Sequence, residues 1–252
     1  MSFLFGFALC ALAVALLALH GGSAGVLWSP PALGLALLGM AGFCLLTTPL
    51  SVLRANLKAA RRALHTRVDF GGMSEYLLAL VQTARREGVL AIEGRSDGTK
   101  DPLLKAGLDL VAGSADRETI LSVLGGQAKE AAEEEKAAGD FLERLAAILP
   151  GIGVLGTLVE LVQMFYTYKG PQTLAPGLAK ALLPVAYSAC AAYLLLMPLS
   201  ARVRAGSAKL KRYREEILQG VLAIQAGEAP FIARQRLAVY EIQPSRKGRK
   251  RR

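Results

Sequence analysis

Between Leu145 and Leu199 two apolar stretches carry the residues with chemical potential: Pro150, Thr157, Glu160, Lys180, Pro184 and Pro198. Each stretch is about 20 residues long, enough at about 1.5 Å of helical rise per residue to cross a hydrocarbon core of about 30 Å. A proline there leaves a backbone acceptor unsatisfied, and a charge needs a partner or water. Glu160 and Lys180 stand equally far on either side of the turn at Gly170-Pro171, so an antiparallel hairpin brings them to one depth. An isolated charge at that depth costs about 3 kcal/mol or more on insertion scales, and a mutual ion pair offsets part of it. The other reading is that Glu160 binds a permeating ion together with Thr157, which lies one helical turn away. Either chemistry belongs to ion movement or to its structural support.

The elements that must position these residues follow from composition. A mean hydropathy of +0.37 and 53% hydrophobic residues exceed what an ordinary globular chain carries, while 20% charged residues is too many for a wholly buried one. Membrane spans and a charged aqueous portion therefore coexist. The expected fold is all-α, a polytopic membrane protein with four transmembrane helices and a helical cytoplasmic domain. A first hairpin occupies 1–50, a cytoplasmic helical loop 51–144, a second hairpin with the ion-pathway helices 145–200, and a basic cytoplasmic tail 201–252.

Within the first hairpin, a span from about Phe3 to Leu19 leads into GGSAGVLWSPP, where Trp28 suits a membrane interface. A signal peptide is the alternative for that span, but no basic segment precedes it and a second apolar run soon follows. The second span begins at Pro30-Pro31, where proline fits the first turn of a helix, and Gly34, Gly39 and Gly42 invite close helix contact. Arg54, Lys58, Arg61, Arg62 and Arg67 follow span two, and Arg202, Arg204, Lys209, Lys211, Arg212 and Arg214 follow span four. The short turns between spans carry only Lys169, so both termini and the large loop are expected in the cytoplasm.

Within the loop, Met73 to Leu90 repeats apolar residues at helical spacing (Tyr76, Leu77, Leu80, Val81, Ala84) and ends near Gly88, and Leu103 to Val111 does the same. The stretch QAKEAAEEEKAAGDFLERL reads as an amphipathic helix running directly into span three, with Glu133, Glu134 and Glu135 as a solvated face. No Walker A pattern, phosphate cradle or Ser/His/Asp constellation is present, so the chain is not read as an enzyme. Cys10, Cys44 and Cys190 sit in apolar stretches without CxxC spacing, and neither His20 nor His65 lies beside a nucleophile. No metal site and no cofactor is expected, only a transported proton or sodium ion. The basic tail from Ala201 to Arg252, which follows span four directly and ends in SRKGRKRR, favours anionic lipid over nucleic acid.

In order along the chain, the motifs GGSAG, ARREGVLAIE, DPLLKAGLDLVAGSAD, PGIGVLGTLVELV, ALLPVAYSACAAYLLLMPLS and EEILQGVLAIQAGEAP resemble the flagellar stator subunits MotA and PomA, within the wider MotA/TolQ/ExbB group. The four-span layout is similar to the MotA branch rather than to three-span TolQ and ExbB. The resemblance implies a pentameric ring around a dimer of a MotB-like single-span partner that supplies an essential aspartate, with ion flow turning a flagellar rotor. Pro150 and Pro198 match the family's two prolines near the cytoplasmic ends of spans three and four. Arg85 and Glu93 occupy its charged positions facing the rotor's switch protein. The chain departs from the family's GTxxGL by having Glu160 at the second glycine, and it has Val185 where a threonine stands in span four. Alternatives are a TolQ/ExbB-like energiser of another envelope process, or a non-conducting membrane scaffold.

Overall fold

The structure, a computed structural model, describes residues 28–65, 68–89, 91–92, 99 and 101–240. The first expected span, Phe3 to Leu19, lies outside them, as do Glu93 and the SRKGRKRR end. Among the described residues every regular element is helical. The helices are α1 (Pro30–Thr47), α2 (Leu50–His65), α3 (Phe70–Glu87), α4 (Pro102–Ala112), α5 (Arg117–Tyr166), α6 (Leu174–Ala181), α7 (Leu183–Cys190), α8 (Met197–Gln225) and α9 (Pro230–Leu237). A 3₁₀ turn over Pro171–Thr173 precedes α6, and a π turn over Ala191–Leu196 joins α7 to α8. Among the described residues, three stretches are long and apolar enough to cross a membrane: Pro30–Thr47, one within Arg117–Tyr166, and one within Pro171–Gln225.

Local chemistry sets the boundaries. α1 opens on Pro30-Pro31, where missing N–H groups cost nothing. Asp69 accepts from the Gly72 N–H at 3.2 Å to cap α3, which stops at Gly88 with φ of 87°, a conformation glycine adopts without a Cβ penalty. Asp101 accepts from the Leu103 and Leu104 N–H groups at 2.9 and 3.2 Å, with Pro102 as the first residue of α4. Asp116 receives the Thr119 N–H at 3.0 Å at the head of α5. The acidic stretch and span three form one unbroken helix of 50 residues with Pro150 inside it.

The chain divides into two compact units, one of residues 1–61 and 137–204, the other of 62–136 and 205–252. In the first, α1 packs on α7, and Ala146, Leu149 and Ala192 form a small core flanked by Met40, Ile152 and Leu196. Its large apolar side chains point outward: Leu38 is 74% exposed, Leu155 63% and Val162 69%. An aqueous protein cannot sustain such a surface, and lipid or a neighbouring subunit must cover it. Of the three glycines of α1, only Gly39 makes a close approach, with Ile152 beneath it; Gly34 and Gly42 have open space.

The second unit is built the other way, around a buried core. It joins Leu77, Leu80 and Val81 of α3, Leu104 and Leu108 of α4, Ile120 and Leu124 of α5, Ile217, Val221, Leu222 and Ile224 of α8, and Ala233 and Leu237 of α9. α9 packs on α3. The segment read as a tail thus supplies much of this core. Periodicity showed the α3 and α4 faces, but the basic residues of α8 masked its apolar face. The solvated-face reading of the three glutamates holds for Glu133, whose side chain is 69% exposed, and for Glu134, at 52%. It fails for Glu135, which is fully buried and paired with Arg214.

Candidate functional site

The second hairpin of the first unit is in antiparallel register from its base to its turn. A Cβ on Gly153 would fall 2.8 Å from the Val185 Cα and 2.9 Å from the Pro184 carbonyl oxygen, and one on Gly156 would fall 2.9 Å from the Pro184 Cβ. Further along, Glu160 meets Lys180, and Gly177 lies on Met164. Backbones this close exclude any larger side chain at Gly153 and Gly156, which is how helices gain dispersion contact where lipid removes the hydrophobic drive. Gly156 also receives Leu35 of α1, so α1, α5 and α7 converge there.

Lys180 Nζ lies 3.5 Å from Glu160 Oε2. The carboxylate side chain is 16% exposed and the lysine side chain 55%, so the acid is held inside while the ammonium reaches outward on its apolar stem. The structure therefore brings together the two charges that the sequence placed at equal distance from the turn. Thr157 is half-buried, and its hydroxyl donates to the Gly153 carbonyl oxygen at 3.1 Å within α5. That back-bond fixes the hydroxyl rotor while its oxygen stays available as an acceptor. Thr157 and Glu160 stand one turn of α5 apart.

Val185 is half-buried in the first turn of α7, next to Pro184. The chain breaks at Leu182 between α6 and α7, because Pro184 has no N–H to continue the ladder and its ring opposes the preceding turn. Ser188, one turn on, is fully buried against Gly153 and donates to the Val185 carbonyl oxygen at 3.0 Å. Tyr187 carries its hydroxyl to the Ser29 N–H at 3.2 Å, capping a donor at the head of α1. Sequence reading missed Gly153, Ser188 and Tyr187. The GxxG spacing of Gly153 and Gly156 was the signal for the first, whereas nothing local marks the partner of Tyr187.

Pro150 is half-buried within α5, beside the buried Leu149 and Ala146. Pro198 is the second residue of α8, two positions beyond the end of the π turn at Leu196. A proline in a helix interior clashes with the carbonyl four residues earlier, and the wider π turn sits where that clash would fall. Below it, Ser200 donates to the Gly139 carbonyl oxygen at 2.9 Å, and Arg204 bonds both Asp140, at 2.6 Å, and Glu143.

Arg85 is exposed in the last turn of α3, three residues before the Gly88 bend. Its expected counterpart Glu93 lies outside the described residues. Among the described residues no group of three or more His, Cys, Asp or Glu side chains could hold a metal. Several basic residues expected to face lipid after span four are engaged within the protein. Arg204 holds two carboxylates, Arg214 pairs with Glu135, and Lys211 lies 3.9 Å from Glu215.

Residues 95–216 match the MotA/TolQ/ExbB proton channel family. The chain is 30% identical over 222 residues to motility protein A of Treponema phagedenis, covering 87% of this chain and 85% of that one. It is 28% identical to motility protein A of Treponema pallidum, covering 88% and 86%. The fold is similar to a chain of the C. jejuni MotAB structure, with a TM-score of 0.90 at 19% identity over 97% of both chains. It is also similar to one from the Bacillus subtilis flagellar MotAB stator complex, with a TM-score of 0.87 at 21% identity. Identical to a motility protein A at 30% of the positions aligned along most of both sequences, the chain belongs to the MotA family.

Proposed function

We propose that the chain is the stator subunit of an ion-driven flagellar motor. In this reading it sits in the bacterial inner membrane with four spans and both termini in the cytoplasm. Five copies surround a MotB-like dimer whose aspartate takes up the proton or sodium ion. The observation that carries the reading is family membership extending across both units, joined to a hairpin whose helices touch at Gly153 and Gly156. Thr157, Glu160 and Val185 stand on that hairpin near the contact, and Pro150 and Pro198 near its base.

Neutralising a carboxylate on the partner changes which contacts are favourable in a site of low dielectric, and a ring with two arrangements then shifts between them. Helices interrupted at Leu182 and at the π turn have the local freedom such a shift needs. Arg85, exposed at the end of α3, is placed to steer docking of the rotor's switch protein, with Glu93 as its proposed companion. Glu160 and Lys180, neutral as a pair, set the electrostatics of the outer half of the hairpin.

The test is conduction. The chain is co-expressed with its single-span partner, and cytoplasmic pH and sodium are followed, with the partner's aspartate changed to asparagine as control. Aspartate-dependent flux is the expected result and names the ion. An assembled complex without flux would overturn the reading in favour of a membrane scaffold.

A further inference from the structure

α2 begins after only Thr48 and Pro49 beyond the end of the membrane-capable α1, so it starts where the apolar span stops. Its sixteen residues contain no Asp or Glu. Ala59 and Ala60 are buried and mark its inward side. Leu50, Leu53 and Leu57 recur at i, i+3 and i+7 and form a stripe along it. Leu50 is 56% exposed and Leu57 58%. Arg54, Lys58 and Arg61 form the adjoining stripe, all exposed. Among the described residues, Arg54 and Lys58 make no ion pair. An apolar stripe beside a basic one, directly continuous with a spanning helix, has the chemistry of a helix lying in the headgroup region of an anionic bilayer.

We propose that the Leu50–Leu57 stripe of α2 enters the leaflet at which α1 ends and that Arg54 and Lys58 bind anionic lipid headgroups there. The leucines supply contact with acyl chains, and the guanidinium and ammonium groups supply selectivity for phosphate-bearing, negatively charged lipid. The acid-free composition of α2 suits such a surface, since a carboxylate on either stripe would repel the headgroups.

Trp28 is the one tryptophan of the chain, so Leu57→Trp in a Trp28→Phe background puts a single fluorescent reporter on the stripe. The full chain, with its partner if assembly requires it, is reconstituted in phosphatidylcholine bilayers. These contain equal fractions of brominated phosphatidylglycerol or brominated phosphatidylcholine. Both lipids are expected to quench the reporter, with phosphatidylglycerol favoured. Each basic side chain near an anionic surface is worth a factor of about five, so Lys58→Gln lowers the preference roughly fivefold, and Arg54→Gln with Lys58→Gln up to roughly 25-fold or to parity. A reporter quenched by neither lipid would overturn the proposal and point to a protein partner on this face. Equal quenching by both lipids in the chain with native Arg54 and Lys58, or a preference unmoved by the substitutions, would also overturn it.

Discussion

Arg214 grips Glu135 with both guanidinium nitrogens, Nη2 to Oε1 at 2.5 Å and Nη1 to Oε2 at 3.1 Å, and the carboxylate has no exposure to solvent. A bidentate pair of this kind joins α5 to α8 within the second unit. Removing one partner leaves a buried charge, so Glu135→Leu or Arg214→Met alone is expected to cost about 3–5 kcal/mol. The double change should recover most of that loss, because two apolar side chains fill the volume without desolvating an ion. Chemical denaturation of the four forms in a double-mutant cycle checks this.

Glu160 and Lys180 form a looser pair, and the same cycle has a different readout there. Lys180→Met is expected to lower assembly, Glu160→Gln to lower it similarly, and the two together to restore it. Size-exclusion profiles of the complex with its partner measure the effect. If Glu160 instead carries the ion, conduction would be lost in Glu160→Gln and not regained by adding Lys180→Met.

The contact at Gly153 makes a sharp prediction. A Cβ there would lie 1.8 Å from Ser188 Oγ and 2.8 Å from a backbone atom of Val185, so Gly153→Ala must part the two helices. The expected cost is about 1–3 kcal/mol, seen as a lower midpoint of thermal unfolding in detergent. Gly151, two residues earlier, has nothing within 4 Å of such an atom. Gly151→Ala should therefore leave the midpoint unchanged or raise it, since alanine favours the helix by about 1 kcal/mol.

Asp116 gives a pH dependence with a definite sign. Hydrogen bonds from Thr119 hold its carboxyl below the ordinary value. The stability it contributes is therefore present above the pKa of the unfolded chain and lost as pH falls through the depressed folded value. The difference in unfolding midpoint between the native chain and Asp116→Ala should be constant near neutrality and shrink in acid.

The helices of the second unit were legible where apolar spacing was clean. Leu77, Leu80, Val81 and Ala84 are the buried face that their periodicity announced, whereas Tyr76 of the same set lies exposed, and Leu103 to Val111 falls within α4 as its spacing indicated. The run of helix from Gln127 into span three also followed from composition, whereas the start of α5 ten residues earlier, at Arg117, did not. The sequence could not show that Arg214 seeks Glu135, because 79 residues separate them and each looks like one member of a surface charge cluster. In the hairpin, counting from the turn was enough to bring Glu160 to Lys180. It was not enough to find the Ser188 contact, which depends on helix rotation rather than on depth.

Rotation gives the π turn at Ala191–Leu196 its consequence. Ser188 presses on Gly153 and Ser200 bonds to Gly139, so both serines face α5 although twelve positions separate them. In a uniform α-helix that separation would swing them apart by about 120°. A π turn takes up about one surplus residue and brings the later half back into phase. Shortening the segment by one residue would leave about 20° between them, and lengthening it by one would turn Ser200 away from its carbonyl. The π turn thus absorbs a surplus residue without disturbing the phase of everything from Ser200 onward, so a one-residue deletion in this stretch is tolerated while a one-residue insertion acts on the helix as a change of angle more than of length.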